Sequence, residues 1–215
     1  MSFLEVTEEL LQGFLVTILL FALTWVIAVP LGVFFCRMTL SKFKPLHYFM
    51  QGFIWVIRGT PLMLQIIVIF YVPGLLFAWQ SVDRFVAVLV ALSINYGIYF
   101  SEIFRSGYES VSEGQKDAAL MLQFSRSQIF TRVLFLPILK KILPPLSNET
   151  ISLVKDTALA RVIAISEILM TAQKIVATYA IIWVLFYTGV FYLVFNGVLS
   201  VVLKKAEKKL AYFKA

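Results

Sequence analysis

Four long stretches of this chain contain no charged residue, and they limit its fold more than any other feature. They are Leu10–Cys36, Gly59–Val82, Phe85–Ser101 and Ile175–Leu203. A helix needs about 20 predominantly apolar residues to cross the hydrocarbon core of a bilayer, so each stretch is long enough, or nearly so. Backbone groups inside a bilayer must find their hydrogen bonds within the protein, which favours helices. The sequence therefore predicts an all-α, polytopic membrane protein.

The composition supports this prediction. Of 215 residues, 60% are hydrophobic and only 14% are charged, whereas a soluble domain carries roughly 25% charged residues. The first apolar stretch is too long for a signal peptide, and acidic rather than basic residues precede it: Glu5, Glu8 and Glu9. We therefore interpret this stretch as the first membrane span.

The net charge of +7 is distributed in a way that argues against a nucleic-acid partner. Five lysines lie between Lys204 and Lys214, and Arg37, Lys42 and Lys44 follow the first stretch. Basic residues concentrate on the cytoplasmic side of membrane proteins. This distribution predicts that the C-terminus lies in the cytoplasm and that the acidic N-terminus lies outside.

The sequence lacks the residues that most catalytic and metal sites require. Cys36 is the only cysteine and His47 the only histidine, which leaves no internal disulfide and no Cys/His metal site. The G-x-x-x-x-G-K-[ST] phosphate loop is also missing. We expect no catalytic residue, no metal and no cofactor on this chain, and any ATP must bind to another subunit.

The number of spans follows from the two predicted ends. A chain that begins outside and ends inside crosses the membrane an odd number of times, which requires a span over residues 133–154 despite Lys140, Lys141, Pro144 and Pro145. We predict five transmembrane helices in one domain that covers residues 1–215. Their approximate ranges are 10–36, 46–72, 85–104, 133–154 and 180–203.

Two segments interrupt this pattern. Arg58-Gly59-Thr60-Pro61 places a charge and two helix breakers near the middle of the second span. Such residues are tolerated in a membrane only where they face protein or a water-filled path. Lys155–Thr178 is predicted to be an outer or re-entrant segment with a short helix over Val162–Met170.

A polar segment between the third and fourth spans has to lie in water. In Ser112–Arg132, the spacing of Ser112 to Gln115 and of Ser125 to Gln128 fits two capping boxes. We predict an elbow of two short helices within residues 113–132. The helices are Glu113–Leu122 and Arg126–Arg132, and the bend lies at Gln123–Ser125.

Three motifs carry a resemblance to a known family. They are Arg58-Gly59-Thr60-Pro61-Leu62 with Gln65, Glu102-Ile103-Phe104-Arg105 followed by Gly114-Gln115-Lys116-Asp117-Ala118-Ala119, and Leu143-Pro144-Pro145-Leu146-Ser147-Asn148-Glu149 continuing into Ile151-Ser152-Leu153-Val154-Lys155-Asp156-Thr157-Ala158-Leu159. With the span pattern, they make the chain resemble the membrane subunits of bacterial ABC importers, specifically the polar amino-acid permeases. The resemblance covers nearly the whole chain.

The resemblance includes the cytoplasmic signature of that family, Glu-Ala-Ala, three residues, Gly, nine residues, Ile-x-Leu-Pro. Here Asp117-Ala118-Ala119 takes the first part, Gln123 stands at the glycine position and Pro137 comes one residue late. In the family this elbow is the coupling helix, which seats in a groove on an ATPase subunit. The resemblance implies that the docking residues are Gly114, Asp117, Ala118, Ala119, Leu122 and Arg126. The alternative is a solvated helix with no partner.

The resemblance also implies a function. A relative of these permeases would move a zwitterionic or cationic amino acid across the cytoplasmic membrane by alternating access. Its expected partners are two ATPase subunits that bind ATP and magnesium, a second permease subunit, an extracytoplasmic substrate-binding protein and membrane lipid. The alternative functions are an ATP-independent channel or secondary transporter and, less compatible with the residues present, an intramembrane enzyme.

Polar residues within the predicted spans are candidates for the substrate pathway. An amino acid carries an ammonium and a carboxylate, so its site needs both signs of charge together with amides and hydroxyls. The candidates are Arg58, Thr60, Gln65, Asn95, Tyr99, Asn148, Glu149, Ser152, Asp156 and Glu167. Glu167 is the preferred contact for a substrate ammonium or guanidinium. Alternatively, Arg58 pairs with Glu102 or Glu149 and only holds the helices together.

Overall fold

The computed structural model describes residues 1–77 and 82–211, and the side chains of residues 1–76 and 82–210. Within these ranges the regular structure is helical and contains no strand. The α-helices are α1 (Phe3–Thr39), α2 (Lys44–Gly59), α3 (Leu62–Phe77), α4 (Arg84–Glu109), α5 (Glu113–Met121), α6 (Arg126–Gln128), α7 (Phe135–Asp156), α8 (Ile168–Tyr179) and α9 (Trp183–Ala211). A π-helical turn, Ile129–Leu134, precedes α7, and a 3-10 helix, Thr157–Ile163, follows it.

Helices α1 and α4 form the centre of the protein. Helix α1 begins at a capping box, in which the Glu5 amide donates to Ser2 Oγ and the Ser2 amide donates to Glu5 Oε2. It continues without interruption through Pro30. The two helices approach closely at Gly32, where a Cβ atom would lie 2.8 Å from Phe100 Cβ. The small residue at this position therefore allows the two longest helices of the N-terminal half to pack side by side.

The second predicted span is not one helix. Residues 46–72 divide between α2 and α3, which are bent by 106° across the break at Thr60-Pro61. Thr60 is extended, and Pro61 has no amide hydrogen with which to continue α2. Helix α3 runs on to Phe77, beyond the predicted end of the span. The second predicted span therefore consists of two helices that meet at a sharp angle, and its helix breakers lie at their junction.

The predicted short helix over Val162–Met170 is wrong. The 3-10 helix that continues α7 ends at Ala164, which has a left-handed φ of 60°. The chain is then non-helical until Glu167, whose carboxylate caps α8 by accepting from the amides of Leu169 and Met170. The apolar run that begins at Val162 gave no sign of this cap, which starts a new helix at Ile168, within the predicted range.

Three helices of the described chain are long and apolar enough to cross a membrane: α1, α4 and residues Trp183–Leu210 of α9. The bent α2/α3 pair adds a fourth if it counts as one span. The predicted fourth span, 133–154, lies mostly on α7, which is helical but contains Lys140, Lys141, Pro144 and Pro145. These residues lower its hydropathy, so the count of five spans stays a prediction.

Candidate functional site

A bent helical segment connects α4 to α7. Helix α5 ends at Met121, the chain turns through Gln123 with a left-handed φ of 58°, and α6 begins at Arg126. Ser125 caps α6 in a complete capping box, because its Oγ accepts from the Gln128 amide and Gln128 Oε1 accepts from the Ser125 amide. The chain thus turns between Met121 and Arg126, and the second helix is shorter than the predicted Arg126–Arg132 because a π-helical turn follows Gln128.

The capping box predicted at Ser112 is absent. Ser112 precedes α5 in an extended conformation, but its side chain makes no capping hydrogen bond. The Gln115 amide instead donates to the Ser112 carbonyl oxygen at 3.1 Å. The spacing of Ser112 to Gln115 matched the motif, yet the serine rotamer does not complete it. The start of α5 is thus held less firmly than the start of α6.

A small hydrophobic cluster lies beneath α5. Its buried members are Val111, Ala119, Ile129 and Leu134. Ala119 is only 3% exposed, because it faces this cluster rather than solvent. The structure therefore corrects the set of predicted docking residues, since Ala119 supports α5 from below and presents no surface to a partner.

The opposite face of α5 is exposed. Five exposed residues recur at the spacing of residues that share one helical face: Gly114, Asp117, Ala118, Met121 and Leu122. Met121 is 85% exposed and Leu122 69% exposed, which is unusual for large apolar side chains on a helix that is otherwise polar. We call these five residues the α5 face. Met121 was missed from the sequence, although its separation of three residues from Ala118 and seven from Gly114 would have indicated it.

Charged side chains also surround this segment. Arg126 is exposed on α6. Lys116 lies 4.9 Å from the ring centroid of Tyr108 on α4 and makes an ion pair of 2.9 Å with Glu113. The hydrogen bond to Glu113 raises the pKa of Lys116. Since Glu113 is largely exposed, the pair contributes little stability and mainly orients the first turn of α5.

Two open cavities meet at the C-terminal half of α4. The first has a volume of approximately 920 Å³ and lies between α4, the start of α5 and α7. The second, of approximately 860 Å³, lies between α4, α2 and the end of α1. Both are lined by Arg58, Tyr99 and Glu102, and Glu149 lines the first cavity. Of the predicted pathway residues, the structure thus brings Arg58, Tyr99 and Glu149 to one space.

Arg58 lies between the two cavities and is held loosely. Its Nη1 is 3.6 Å from Glu102 Oε2, and its guanidinium carbon is 5.3 Å from the centroid of the Tyr99 ring. Glu102 makes shorter bonds to Arg105, at 2.7 Å and 3.0 Å, and Arg105 also pairs with Glu109. Of the two partners considered for Arg58, the structure contains the pair with Glu102. Because Arg105 holds Glu102 more closely, Arg58 retains free donors toward the cavities.

At the break between α2 and α3, hydrogen bonds within the protein engage the side chains of Thr60, Gln65 and Asn95. Gln65 Nε2 donates to the carbonyls of Ile57 and Thr60, at 2.8 Å and 3.2 Å, and to Thr60 Oγ1 at 2.9 Å. Asn95 Nδ2 on α4 donates to Gln65 Oε1 at 3.0 Å. These bonds satisfy carbonyls that the end of α2 leaves without helical partners. The geometry gives the three side chains a structural role at the break.

The remaining pathway candidates are spread along α7 and beyond it. Asn148 is exposed and Ser152 half-buried. Asp156 Oδ2 accepts from the Tyr96 hydroxyl at 2.7 Å. Glu167 is fully buried, and the amides that it caps occupy both of its oxygens. In this conformation Glu167 organises the start of α8 and does not line either of the two cavities.

A comparison with known families identifies the class of protein that this fold and these sites define. A family model described as the binding-protein-dependent transport system inner membrane component matches residues 28–212. The match covers most of the chain, including α2 to α9. The chain therefore belongs to this family of multi-pass membrane components.

Individual relatives agree with the family match. The chain is 32% identical over 202 residues to the arginine transport system permease protein ArtQ of Bacillus subtilis, covering 94% of this chain and 92% of the relative. It is 35% identical over 159 residues to the glutamine transport system permease protein GlnP of Escherichia coli, covering 74% and 73% of the two chains. Similarity therefore extends along most of each protein.

Solved structures show the same relationship. A crystal structure of an amino acid ABC transporter with histidines matches with a TM-score of 0.87 and 30% identity, covering 97% of this chain and 99% of that chain. An inward-facing structure of the MetNI methionine ABC transporter matches with a TM-score of 0.71 but 13% identity, covering 98% and 99%. The second likeness shows the fold alone.

Proposed function

We propose that this chain is the permease subunit of an ATP-driven importer of polar amino acids, and that the α5 face is its contact with an ATPase subunit. The observation that carries the proposal is the exposure of Met121 and Leu122 beside the small residues Gly114 and Ala118. A short helix with this face fits the helix-in-groove mode of recognition. Asp117 and Arg126 would supply charges at the rim, where they set orientation more than affinity.

The partners follow from the family and from the absence of a phosphate loop in the sequence. Two ATPase subunits would bind ATP and magnesium and receive one α5 face each. A second permease subunit, identical or similar, would complete the pathway. A substrate-binding protein would deliver the amino acid from outside. Closure of the ATPases would draw the two α5 helices together and change which side of the membrane the pathway faces.

The proposed topology has five spans. Helix α7 would be the fourth, protected from lipid by its neighbours despite its lysines and prolines, because a helix that faces other helices need not be apolar all round. The N-terminus then lies outside, and α5, α6 and the lysine-rich end of α9 lie in the cytoplasm. This arrangement places the α5 face on the side where ATP is available.

The substrate class is supported by the residues that line the first cavity. Arg58 offers a guanidinium to a carboxylate, and Glu149 offers a carboxylate to an ammonium. The names of two relatives mention arginine and glutamine, and that of another mentions histidine, lysine, arginine and ornithine. We propose a zwitterionic or cationic amino acid that passes Arg58, Tyr99 and Glu149 and continues along Asn148, Ser152 and Asp156 of α7. Glu167 stays a weaker candidate, because its oxygens are occupied.

The substitution Ala118→Arg tests the docking proposal. Arginine at the centre of the α5 face would block the groove contact, so ATP-dependent uptake should fall at least about tenfold, which corresponds to a loss of about 1.4 kcal/mol of coupling. Uptake of a panel of labelled amino acids is measured in proteoliposomes that contain the whole transporter and its binding protein. ATP hydrolysis is measured in parallel, and its stimulation by the loaded binding protein should be lost.

Leu120→Arg is the matched control. Leu120 is 58% exposed on the same helix but lies about 200° around it from Ala118. It receives the same added charge and bulk outside the α5 face, so coupling should remain near normal. If Ala118→Arg transports as well as Leu120→Arg does, the docking proposal is wrong.

An ATP-independent channel or secondary transporter is the competing function. It requires uptake by the chain without an ATPase. Proteoliposomes that contain the purified chain alone, assayed with the same amino acids, separate the two functions. Uptake that equals that of the complete transporter with ATP would contradict the proposed importer, while a requirement for both ATPase and ATP would support it.

A further inference from the structure

A third open cavity is separate from the two described above, and neither Arg58 nor Glu102 lines it. It measures approximately 590 Å³ and is bounded by the ends of α1 and α4 and by the start of α7. Helix α1 contributes Val33, Arg37 and Leu40, which are separated by four and three residues and so share one helical face. We call this cavity the α1/α4/α7 cleft.

The walls of the cleft are apolar and stay uncovered. Phe104 of α4 and Leu139 of α7 line it, and Val33, Phe130 and Phe135 at its edges are each about half exposed. Its depth is limited by the close approach of α4 and α7, where a Cβ on Gly107 would collide with Ile142 Cγ2. A soluble protein rarely leaves such aromatic and aliphatic surface open. In a membrane protein the same surface is available to lipid chains.

Among the described residues that line the cleft, Arg37 is the one cation. Arg37 is the first charged residue after the uncharged run that begins at Leu10, so it marks the level at which α1 leaves the hydrocarbon. It is exposed and forms no ion pair with the residues that the structure describes. Tyr108, which also lines the cleft, is partly exposed and places a hydroxyl-bearing ring near this level.

From this arrangement we propose that the α1/α4/α7 cleft binds one anionic phospholipid, with an acyl chain along the apolar walls and the phosphate at Arg37. Arginine is suited to phosphate because its planar guanidinium donates two parallel hydrogen bonds. Basic positions between membrane helices, at the level of the headgroups, are typical sites for anionic lipids. A free phosphate would gain nothing from the apolar walls, which favours a lipid as the occupant.

A lipid in this cleft would have a structural role that is separate from substrate transport. The bound lipid would fill the space between α1 and the segment that joins α6 to α7. Phe130 of that segment and Phe135 at the start of α7 line the cleft, and their ring centroids are 6.2 Å apart. The occupant would therefore support the membrane end of the bend that carries the α5 face.

The test counts retained lipids by native mass spectrometry of the detergent-purified transporter. The protein is exchanged into micelles that contain phosphatidylglycerol or phosphatidylethanolamine. We expect one phosphatidylglycerol per copy of this chain to survive washing, with at least about tenfold less phosphatidylethanolamine retained, a difference of about 1.4 kcal/mol. Arg37→Gln should remove that bound lipid, and Arg37→Lys should keep part of it.

Two further variants separate the site from general attraction to basic residues. Lys42→Gln removes an exposed positive charge from the loop after α1, outside the cleft, and should leave the lipid count unchanged. Val33→Trp fills the cleft without altering its charge and should remove the lipid. If the tryptophan variant does not assemble, Val33→Phe is used in its place. Equal losses in Arg37→Gln and Lys42→Gln, or full retention in the Val33 variant, would overturn the proposal. Equal retention of both lipid classes would do the same.

Discussion

Two interruptions of the helical chain satisfy the same physical requirement by different means. At the break between α2 and α3, the carbonyls at the end of α2 have no partners within the helix. Gln65 and Asn95 supply the missing hydrogen bonds from side chains. The bend between α5 and α6 lies in a polar segment. There Gln123 adopts a left-handed conformation, and Ser125 caps the next helix.

This difference explains which polar side chains form hydrogen bonds within the protein and which remain exposed to a partner. At the α2/α3 break, Thr60 and Gln65 are occupied with each other, so they contribute to the shape of the cavities more than to their chemistry. At the α5/α6 bend, local caps and the small cluster around Ala119 hold the segment. Met121 and Leu122 of the α5 face lie outside this cluster and stay exposed, so they are free to meet another protein.

The largest expected effect is at the interior break. Gln65→Leu removes three donated hydrogen bonds and leaves Asn95 Nδ2 without its acceptor. Each buried polar group left unpaired costs about 1–3 kcal/mol, so we expect a total loss of about 3 kcal/mol after relaxation. Thermal unfolding of the purified protein in detergent should show a midpoint lower by several degrees.

Gln173→Leu is the control for this change. Gln173 is exposed on α8, and the same substitution there should alter stability by less than about 0.5 kcal/mol. If Gln65→Leu is as stable as the control, side-chain hydrogen bonds do not hold the break, and the contrast between the two interruptions disappears.

A smaller effect is expected at the surface bend. Ser125→Ala removes the Oγ acceptor of the capping box and should cost about 1 kcal/mol. Ser112→Ala is the matched control, because the Ser112 side chain makes no cap hydrogen bond. Hydrogen exchange should speed up by about fivefold, which is about 1 kcal/mol, in the first turn of α6 only in Ser125→Ala. Equal acceleration by both variants would show that sequence spacing, rather than the observed geometry, predicts the cap.

The sequence predicted best where one physical signal dominates. Uncharged runs marked α1, α4 and the apolar part of α9, since a run inside a membrane must be helical to satisfy its backbone. Breaks were also found from local chemistry: Thr60-Pro61 marks the end of α2, and residues 123–125 separate α5 from α6. Composition and residue type are sufficient for features of this kind.

The sequence predicted poorly where a tertiary contact decides. Ala119 and Ala118 are identical neighbours, and only packing against Val111 and Ile129 turns one inward and leaves the other exposed. Glu167 looked like a pathway acid, but burial and two backbone amides give it a capping role. In both cases the residue type fits two environments, so the sequence alone does not choose between them.

The smallest predicted effect concerns the backbone at the bend itself. Gln123 has a φ of 58°, a conformation that costs a residue with a Cβ about 1–2 kcal/mol, whereas glycine adopts it freely. Glycine also loses more entropy on folding, so Gln123→Gly should stabilise the bend by only about 0.5 kcal/mol. Hydrogen exchange of the Phe124 amide, which bonds to the Ala119 carbonyl, should slow about twofold. Gln123→Val should instead accelerate this exchange, because β-branched residues rarely adopt a left-handed conformation. If valine protects as well as glycine does, the backbone conformation of Gln123 does not hold the bend, and the Ser125 cap and the cluster around Ala119 must hold it.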